Sequence, residues 1–362
     1  MTPALLPPLR LGGARVLRDG ALRERSLGFA GGRIVRGPLP ELALPGCLIL
    51  PGIVDLHAGA AEGAAAAGVT TAWVAQDWTW EGGARALGQV EAAVARLRAA
   101  PVDLRTVLRA EATFIDGADR LVALVRRHGI GQVVFRDGLS ALTDLAAAEP
   151  RRFVARAAAT GWTVAEMRSA MAAAKARERE VPRHLCRLAE TFDALGVLYG
   201  SIGDPDAETR ERYAMIGARL AVFPASRRVA AAARAMGDPV ILSAGDVAAE
   251  RVTALDLVRE GLCSALASGR GWGAMAAVWR LVDRKVLGLA QAWALVSARP
   301  AELARLPDRG RLEPGRRADL VVVREETRQV EATVSAGRLV HAAGEAGARL
   351  RAAAGLGAVA AE

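Results

Sequence analysis

The sequence has few of the residue types on which several classes of site depend. Its 362 residues include three cysteines and four histidines. Cys47, Cys186 and Cys263 are isolated from one another, so the chain has neither the spacing of a zinc knuckle nor a disulfide framework. Aromatic residues make up 4% of the chain, so alanine, valine and leucine must pack the core that a hydrophobic content of 52% provides.

Lysine is also scarce, because Lys175 and Lys285 are the only lysines among 48 basic residues. Arginine therefore carries the formal net charge of +9. An excess of arginine can indicate binding of nucleic acid or of other anions. Here the arginines are scattered among alanine and acidic residues and form no basic block or basic–aromatic stripe. We therefore expect no nucleic-acid partner.

Long apolar runs and targeting segments are missing as well. No run reaches the roughly 18 residues of a membrane span. Residues 1–10 lack the charged start and the apolar core of a signal peptide. From these absences we expect no membrane partner and a cytoplasmic location.

Short strand-like segments dominate both ends of the chain. Residues 10–50 contain several of them, with a Gly-Gly hairpin turn at residues 31–32. After Pro300 a strand and a second hairpin follow without helices to cover them. We therefore expect residues 1–50 and 306–342 to pair as one small β-sandwich. Residues 343–362 are rich in alanine and glycine and are predicted to be a flexible tail, either a frayed helix or disordered.

Between these ends, residues 51–305 alternate strands with helices. The strand candidates cover residues 53–57, 69–75, 104–110, 131–137, 196–199, 219–223, 239–243 and 263–267. Helical periods include residues 84–99, 118–128 and 163–195, the last interrupted near Pro182. Eight strand–helix units favour a closed (β/α)8 barrel of the TIM type. An open doubly wound sheet is the alternative, but no G-x-G-x-x-G follows its first strand.

Two motifs resemble those of the amidohydrolase superfamily. One is Leu-Pro-Gly-Ile-Val-Asp-Leu-His at residues 50–57, and the other is Gly-x-Leu-x-Pro-Gly-x-x-Ala-Asp-Leu-Val-Val at residues 310–322. Shorter matches at residues 67–71, 108–111 and 221–224 resemble one family within it. That family comprises the metal-dependent diphosphatases of phosphonate catabolism, which act on alpha-D-ribose 1-methylphosphonate 5-triphosphate. The resemblance covers residues 10–342.

The resemblance implies a barrel whose strand ends hold divalent metal ions, Zn, Mn or Mg, that activate a water for release of diphosphate. Several ligand positions of that family are changed here. Gly59 stands where a second ligand would follow His57, and Gly138 stands where a histidine would follow Asp137. Gly269 replaces the aspartate that would be the general base. With no further histidine or lysine expected at a strand end, a binuclear histidine-rich site is excluded.

Two interpretations of the remaining residues stay open. In the first, the metal site has eroded, the chain holds no metal or one weakly bound metal, and it acts as a ligand-binding or partner protein. In the second, His57, Glu111, Asp137 and Asp204 form a reduced, carboxylate-rich site for Mg or Mn that still releases diphosphate. The implied partners are a phosphorylated small molecule, an active paralogue and a second copy of the chain.

Arginines near strand ends are candidates for binding a phosphorylated ligand. Arg136 and Arg270 are expected at the barrel mouth, where guanidinium groups can bind phosphate oxygens. Arg109 is expected to point into the helix layer instead. Trp78 and Trp80 follow the second barrel strand and either line a pocket or pack beneath a lid.

Overall fold

The computed structural model of the chain describes residues 3–82 and 85–356. The strands are β1 (Ala4–Leu5), β2 (Leu9–Gly12), β3 (Arg15–Arg18), β4 (Ala21–Glu24), β5 (Leu27–Ala30), β6 (Arg33–Val35), β7 (Glu41–Ala43), β8 (Cys47–Pro51), β9 (Ile53–Ala58), β10 (Val69–Trp78), β11 (Asp103–Glu111), β12 (Gln132–Arg136), β13 (Leu198–Ile202), β14 (Leu220–Val222), β15 (Val240–Ser243), β16 (Ala265–Ala267), β17 (Leu320–Arg324), β18 (Val330–Ser335) and β19 (Arg338–Ala342).

The helices follow the barrel strands and close the chain. They are α1 (Arg85–Arg98), α2 (Ala118–His128), α3 (Gly138–Ala148), α4 (Pro150–Ala159), α5 (Val164–Ala176), α6 (Val181–Leu195), α7 (Ala207–Met215), α8 (Arg227–Ala235), α9 (Ala244–Ala248), α10 (Val252–Arg259), α11 (Ala274–Asp283), α12 (Leu289–Ala294), α13 (Ala298–Leu303) and α14 (Gly344–Ala353). None of the helices in the described part of the chain combines the length and the apolar character that crossing a bilayer requires.

Residues from both ends of the chain build two sheets that share one core. The strand orders are β1-β19-β18-β17-β8-β3-β4 and β6-β5-β2-β7. Phe29 of the smaller sheet and Ile49 and Val322 of the larger one are completely buried in the same cluster. The β5–β6 hairpin turns at Gly31 and Gly32, whose φ angles of 57° and 76° are readily adopted by glycine. The predicted β-sandwich of both termini is confirmed.

The eight strands from β9 to β16 lie in sequence order in one parallel sheet. The first and last strands also meet, through a parallel bridge between Ala58 and Gly269. At this seam the backbone N of Gly269 donates to the O of His57 at 2.8 Å. All eight strand candidates are present, so the predicted (β/α)8 barrel is confirmed. The alternative, an open doubly wound sheet, is wrong because the first and last strands meet.

By their contacts, the residues divide into two compact units. The first contains Met1–Val74, Arg98–Arg105 and Leu242–Glu362, and the second contains Ala75–Leu97 and Thr106–Ile241. The sandwich and the β9–β16 seam belong to the first unit, and the carboxyl ends of β10 and β11 belong to the second. The boundaries expected between sandwich and barrel, at residues 50 and 306, stay a prediction.

Three helices, α3 to α5, are inserted between β12 and α6, and the sequence pattern had indicated only the last of them. Each begins at a recognisable signal. Asp137 caps α3 by accepting a hydrogen bond from the N of Ser140, and α4 begins at Pro150. Thr163 and Glu166 form a capping box at the start of α5. The inserted helices have a small apolar core of their own, formed by Leu142, Phe153, Ala157 and Met167.

The flexible tail expected over residues 343–362 is corrected in part. Gly344–Ala353 form α14, which buries Ala346 and Leu350 in the core of the sandwich. The backbone N of Ala346 donates to Oε2 of Glu331 at 2.7 Å, which anchors the start of the helix. A helix was one of the two forms expected for this segment, but its burial was not foreseen because small side chains give a weak amphipathic pattern. Residues 357–362 lie outside the described part of the chain.

Candidate functional site

Side chains of β11 and β12 alternate between the helix layer and the interior of the barrel. Leu108 and Phe135 pack in a cluster with side chains of α2 and α6, so they face the helices. Because successive residues of a strand point to opposite faces, Arg109, Glu111 and Arg136 face the interior. The expectation that Arg109 points into the helix layer is therefore wrong, whereas Arg136 lies on the interior face as expected.

A row of alternating charges joins the carboxyl ends of β10, β11 and β12. Oδ1 of Asp77 lies 2.8 Å from Nε of Arg109 and 3.3 Å from Nη1 of Arg136. Nε of Arg136 in turn lies 3.8 Å from Oε2 of Glu111. We call these four residues the charge row. Its two carboxylates balance its two guanidinium groups, so Arg136 does not carry the free positive charge that phosphate binding would use.

Glu111 is a buried carboxylate whose oxygens are already engaged. Its Oε2 accepts a hydrogen bond from the backbone N of Gly138 at 2.7 Å, and its Oε1 accepts one from Oγ1 of Thr113 at 2.8 Å. Burial raises the pKa of Glu111, against the lowering effects of Thr113 and Arg136. These hydrogen bonds, together with Arg136, hold the carboxylate of Glu111 in its present orientation.

Asp137 and Asp204 serve other purposes than metal binding. Asp137 is exposed, and its Oδ1 caps α3 by accepting from the N of Ser140 at 2.9 Å. Oδ2 of Asp204 accepts from Oγ of Ser201 at 2.6 Å and lies 3.4 Å from Nη1 of Arg210. Ser201 shares a strand face with Tyr199, which packs in the helix layer. The carboxylate of Asp204 is therefore bound on the helix side of β13.

His57 is 2% exposed and lies at the seam between β9 and β16. Asp55, on the same face of β9, connects the two sides of this seam. Its Oδ1 accepts from the backbone N of His57 at 3.0 Å, and its Oδ2 accepts from the backbone N of Ser268 at 2.9 Å. Burial raises the pKa of Asp55, against these hydrogen bonds. The sequence analysis overlooked Asp55, although a charged residue inside an apolar strand was a usable signal.

A side chain at Gly59 or Gly138, the two positions where the resemblance would place ligands, would meet neighbouring atoms. A Cβ atom at Gly59 would lie 2.7 Å from the backbone O of Gly269. A Cβ atom at Gly138 would lie 2.3 Å from Oε2 of Glu111. Both distances are shorter than non-bonded carbon–oxygen contacts allow, so a histidine at either position would require its surroundings to move. Neighbouring groups therefore fill the space that restored ligands would need.

The residues present do not fit the divalent metal that the resemblance implies. Such ions need several N or O ligands that converge on one point. Within residues 3–82 and 85–356, no group of three or more His, Cys, Asp or Glu side chains could hold a metal ion. Of the four residues predicted as ligands, Glu111, Asp137 and Asp204 are committed to an ion pair or a helix cap.

Arg270 lies exposed in the loop that follows β16. Trp272 in the same loop donates from Nε1 to the backbone O of Glu62 at 2.5 Å, which holds the loop against the segment after β9. Arg270 therefore projects from a loop that is fixed at one side. It remains a candidate for contact with an anionic ligand.

The aromatic cluster after β10 packs beneath the inserted helices. The ring of Trp80 stacks on that of Trp162, which precedes α5, with centroids 6.5 Å apart. Next to Trp80, the buried Oε2 of Glu81 lies 2.7 Å from Nη2 of Arg156 in α4. Trp78 belongs to the buried cluster of the helix layer. Of the two expectations for these tryptophans, the structure favours packing beneath a lid.

Solved structures share this arrangement of barrel and sandwich. A putative prolidase from Bifidobacterium longum is similar with a TM-score of 0.65 and 15% identity, over 96% of this chain and 98% of that chain. A beta-aspartyl dipeptidase from Fervidobacterium islandicum AW-1 is similar with a TM-score of 0.64 and 14% identity, over 92% and 97%. At these identities the likeness shows a shared fold of barrel and sandwich.

No family model and no curated protein matches the chain in sequence comparisons. A third structural neighbour, the N-acetylglucosamine-6-phosphate deacetylase from Pasteurella multocida, has 10% identity and a TM-score of 0.62, over 91% of this chain and 98% of that chain. Because the neighbours carry different activities at such low identity, the likeness shows a shared fold and assigns no substrate.

Proposed function

We propose that this chain is an amidohydrolase-fold protein that has lost metal-dependent hydrolysis and acts by binding. The closed ligand positions carry the proposal. At Gly59 the backbone O of Gly269 occupies the space of a ligand side chain, at Gly138 the side chains of Glu111 and Arg136 would first have to move, and Glu111 already accepts hydrogen bonds. An eroded site that had merely lost residues would leave a gap, whereas here other contacts take that space.

We further propose descent from the phosphonate-pathway diphosphatases, on the sequence motifs given above. A phosphorylated ribose is then the ligand class to test first. Because the charge row is internally neutral, Arg136 supplies little net attraction, and the exposed Arg270 is the arginine that we expect to contact phosphate. A complex with an active paralogue is the corresponding role as a partner protein.

The first experiment measures diphosphate release from the ribosyl triphosphate in the presence of Zn²⁺, Mn²⁺ or Mg²⁺. We expect no metal-stimulated release, and no difference between the wild type and His57→Ala. If diphosphate were released in a metal-dependent way, and if His57→Ala abolished this release, the reduced carboxylate-rich site would be an active centre instead.

The second experiment measures the melting temperature with ribose 5-phosphate, since a ligand that binds the native state raises it. We expect an increase that Arg270→Ala abolishes and that the control Arg228→Ala, on the exposed face of α8, retains. Absence of any increase, together with absence of a complex with a co-expressed active paralogue, would overturn the binding role.

A further inference from the structure

A cavity of about 760 Å³ lies among the helices of the second unit. Two inserted helices, α3 and α5, form one wall, and α6 and α7 form the other. We call it the lateral cavity. Its volume is within the range of sites that bind small molecules, roughly 300–1,000 Å³. Of the residues that the sequence analysis named as site candidates, Asp137 lies in its lining.

The inner surface of the lateral cavity is apolar. Leu139, Leu185 and Tyr213 are buried side chains that line it, and Met171 and Ile216 are half-buried. They come from four different helices, so the surface is formed only when the inserted helices pack beside the barrel helices. Such a surface favours an apolar molecular body over a sugar or a phosphate, because polar groups would lose their hydration without replacement.

The charged residues at the rim have an acidic bias. Asp137 and Asp144 line the wall formed by α3, seven residues apart and therefore on one helix face. At the end of α5, Nζ of Lys175 lies 2.7 Å from Oε2 of Glu178, so this pair is neutral. The remaining cation among the lining residues is Arg212. The lining therefore carries a net charge of −1, whereas the whole chain carries +9. This local reversal of sign favours a cationic ligand.

We propose that the lateral cavity binds a small apolar molecule with a single ammonium group. Its apolar body packs on Leu139, Leu185 and Met171, and its ammonium group lies at Asp144. Asp137 is less suited to hold the ammonium group because its Oδ1 is already the cap of α3. The proposal concerns the helices of the second unit alone, so it stands or falls independently of the binding role proposed for Arg270.

Calorimetric titration with three probes of equal chain length tests the proposal. The probes are n-octylamine, n-octanol and n-octanoate, each used below its aggregation concentration. We expect n-octylamine to bind at least about tenfold more tightly than n-octanoate, with n-octanol between them. Asp144→Asn should weaken n-octylamine about fivefold and leave n-octanol unchanged, because only the charge is removed. The matched control is Glu190→Gln, an exposed carboxylate on α6 outside the cavity.

A second variant tests the apolar body. Ala172 lines the cavity from an exposed position of α5, so Ala172→Trp should occupy the cavity while the protein still folds. All three probes should then lose binding, with the melting temperature retained. The proposal is overturned if no probe binds the wild type, or if n-octanoate binds as well as n-octylamine. An unchanged affinity for n-octylamine in Asp144→Asn would also overturn it, whether or not Ala172→Trp folds.

Discussion

Arg210 has no exposed surface and connects three elements of the second unit. Its Nη1 donates to Oγ of Ser201 at 2.5 Å and lies 3.4 Å from Oδ2 of Asp204. Its Nη2 lies 3.5 Å from Oδ2 of Asp238, which is also completely buried. A guanidinium group in this position compensates carboxylates that would otherwise be buried without a cation.

We therefore expect Arg210→Met to lower the free energy of unfolding by about 3 kcal/mol, because Asp204 loses its cation and Asp238 keeps only Arg219. Denaturant unfolding followed by circular dichroism measures the change. Arg228→Met, an exposed arginine in α8, is the control and should change stability by less than about 0.5 kcal/mol. Equal effects of the two substitutions would refute the structural role of Arg210.

His184 of α6 is the second buried ionisable residue with a measurable consequence. Its side chain is 2% exposed, and its Nδ1 has no hydrogen-bond partner within the described residues. Burial, together with Arg187 and Arg177, lowers the pKa of His184 to about 4 from the ordinary 6.5. The unfolded chain therefore binds this proton at a higher pH than the folded protein does.

Stability should consequently fall as the pH decreases from about 6.5 towards about 4. Between about pH 7 and about pH 5, we expect His184 to account for a loss of ~1.5 kcal/mol, after allowance for screening by solvent. Denaturant unfolding at both pH values checks this. His184→Leu should remove that part of the pH dependence, and a loss as large as in the wild type would show that other groups cause it.

At the scale of elements, the β9–β16 seam depends on the close approach of two loops. Gly59 follows β9, and a Cβ atom there would lie 2.7 Å from the backbone O of Gly269. We expect Gly59→Ala to lower the free energy of unfolding by ~2 kcal/mol. The atom that the new Cβ would meet belongs to the backbone of Gly269, which cannot move aside as a flexible side chain could. The control is Gly88→Ala, where a Cβ atom would meet nothing within 4 Å in α1.

Gly88→Ala should stabilise the protein by about 0.5–1 kcal/mol, since alanine has the higher helix propensity. The difference between the two glycine variants thus isolates the steric effect at the seam. If Gly59→Ala were neutral, the seam would have room for a larger residue. Position 59 would then not be closed to a ligand side chain.

Strands were predictable from the sequence to the extent that their signals are local. The apolar runs that became β9 to β16 are short, β-branched and bounded by turns, and the Gly-Gly turn at residues 31–32 marked a hairpin. Helices α3 and α4 were missed, although Asp137 and Pro150 are ordinary start signals. For helix α14, which was expected only as a frayed helix or a disordered tail, the packing was not predicted because it depends on a distant sheet.

The candidate site was less predictable because its contacts join distant parts of the sequence. That Gly59 and Gly138 stand where the resemblance would place ligands was readable in the sequence, but the atoms that lie next to these glycines were not. Asp77 gave no local sign that it would neutralise Arg136, because 59 residues separate them. Arg109 and Glu111 are two residues apart on β11, so their side chains share one face of the strand. The orientation of Arg109 was predicted wrongly because this alternation was overlooked.

At the scale of the whole molecule, the barrel and the sandwich are shared with the structural neighbours, while within residues 3–82 and 85–356 no three His, Cys, Asp or Glu side chains are grouped so that they could hold a metal ion. The strand pairs, the seam at Asp55 and the sandwich core do not depend on metal ligands. Such a scaffold can persist when its catalytic residues change, since fold and function are separable. This separation is the central claim of our account.

Metal content is the most direct test of that claim. The protein is purified without chelator, dialysed against Zn²⁺ and then Mn²⁺ at micromolar concentration, and measured by inductively coupled plasma mass spectrometry. Our account predicts far less than one ion per chain, and the same content in His57→Ala. One or more tightly bound ions per chain, lost in His57→Ala, would contradict it.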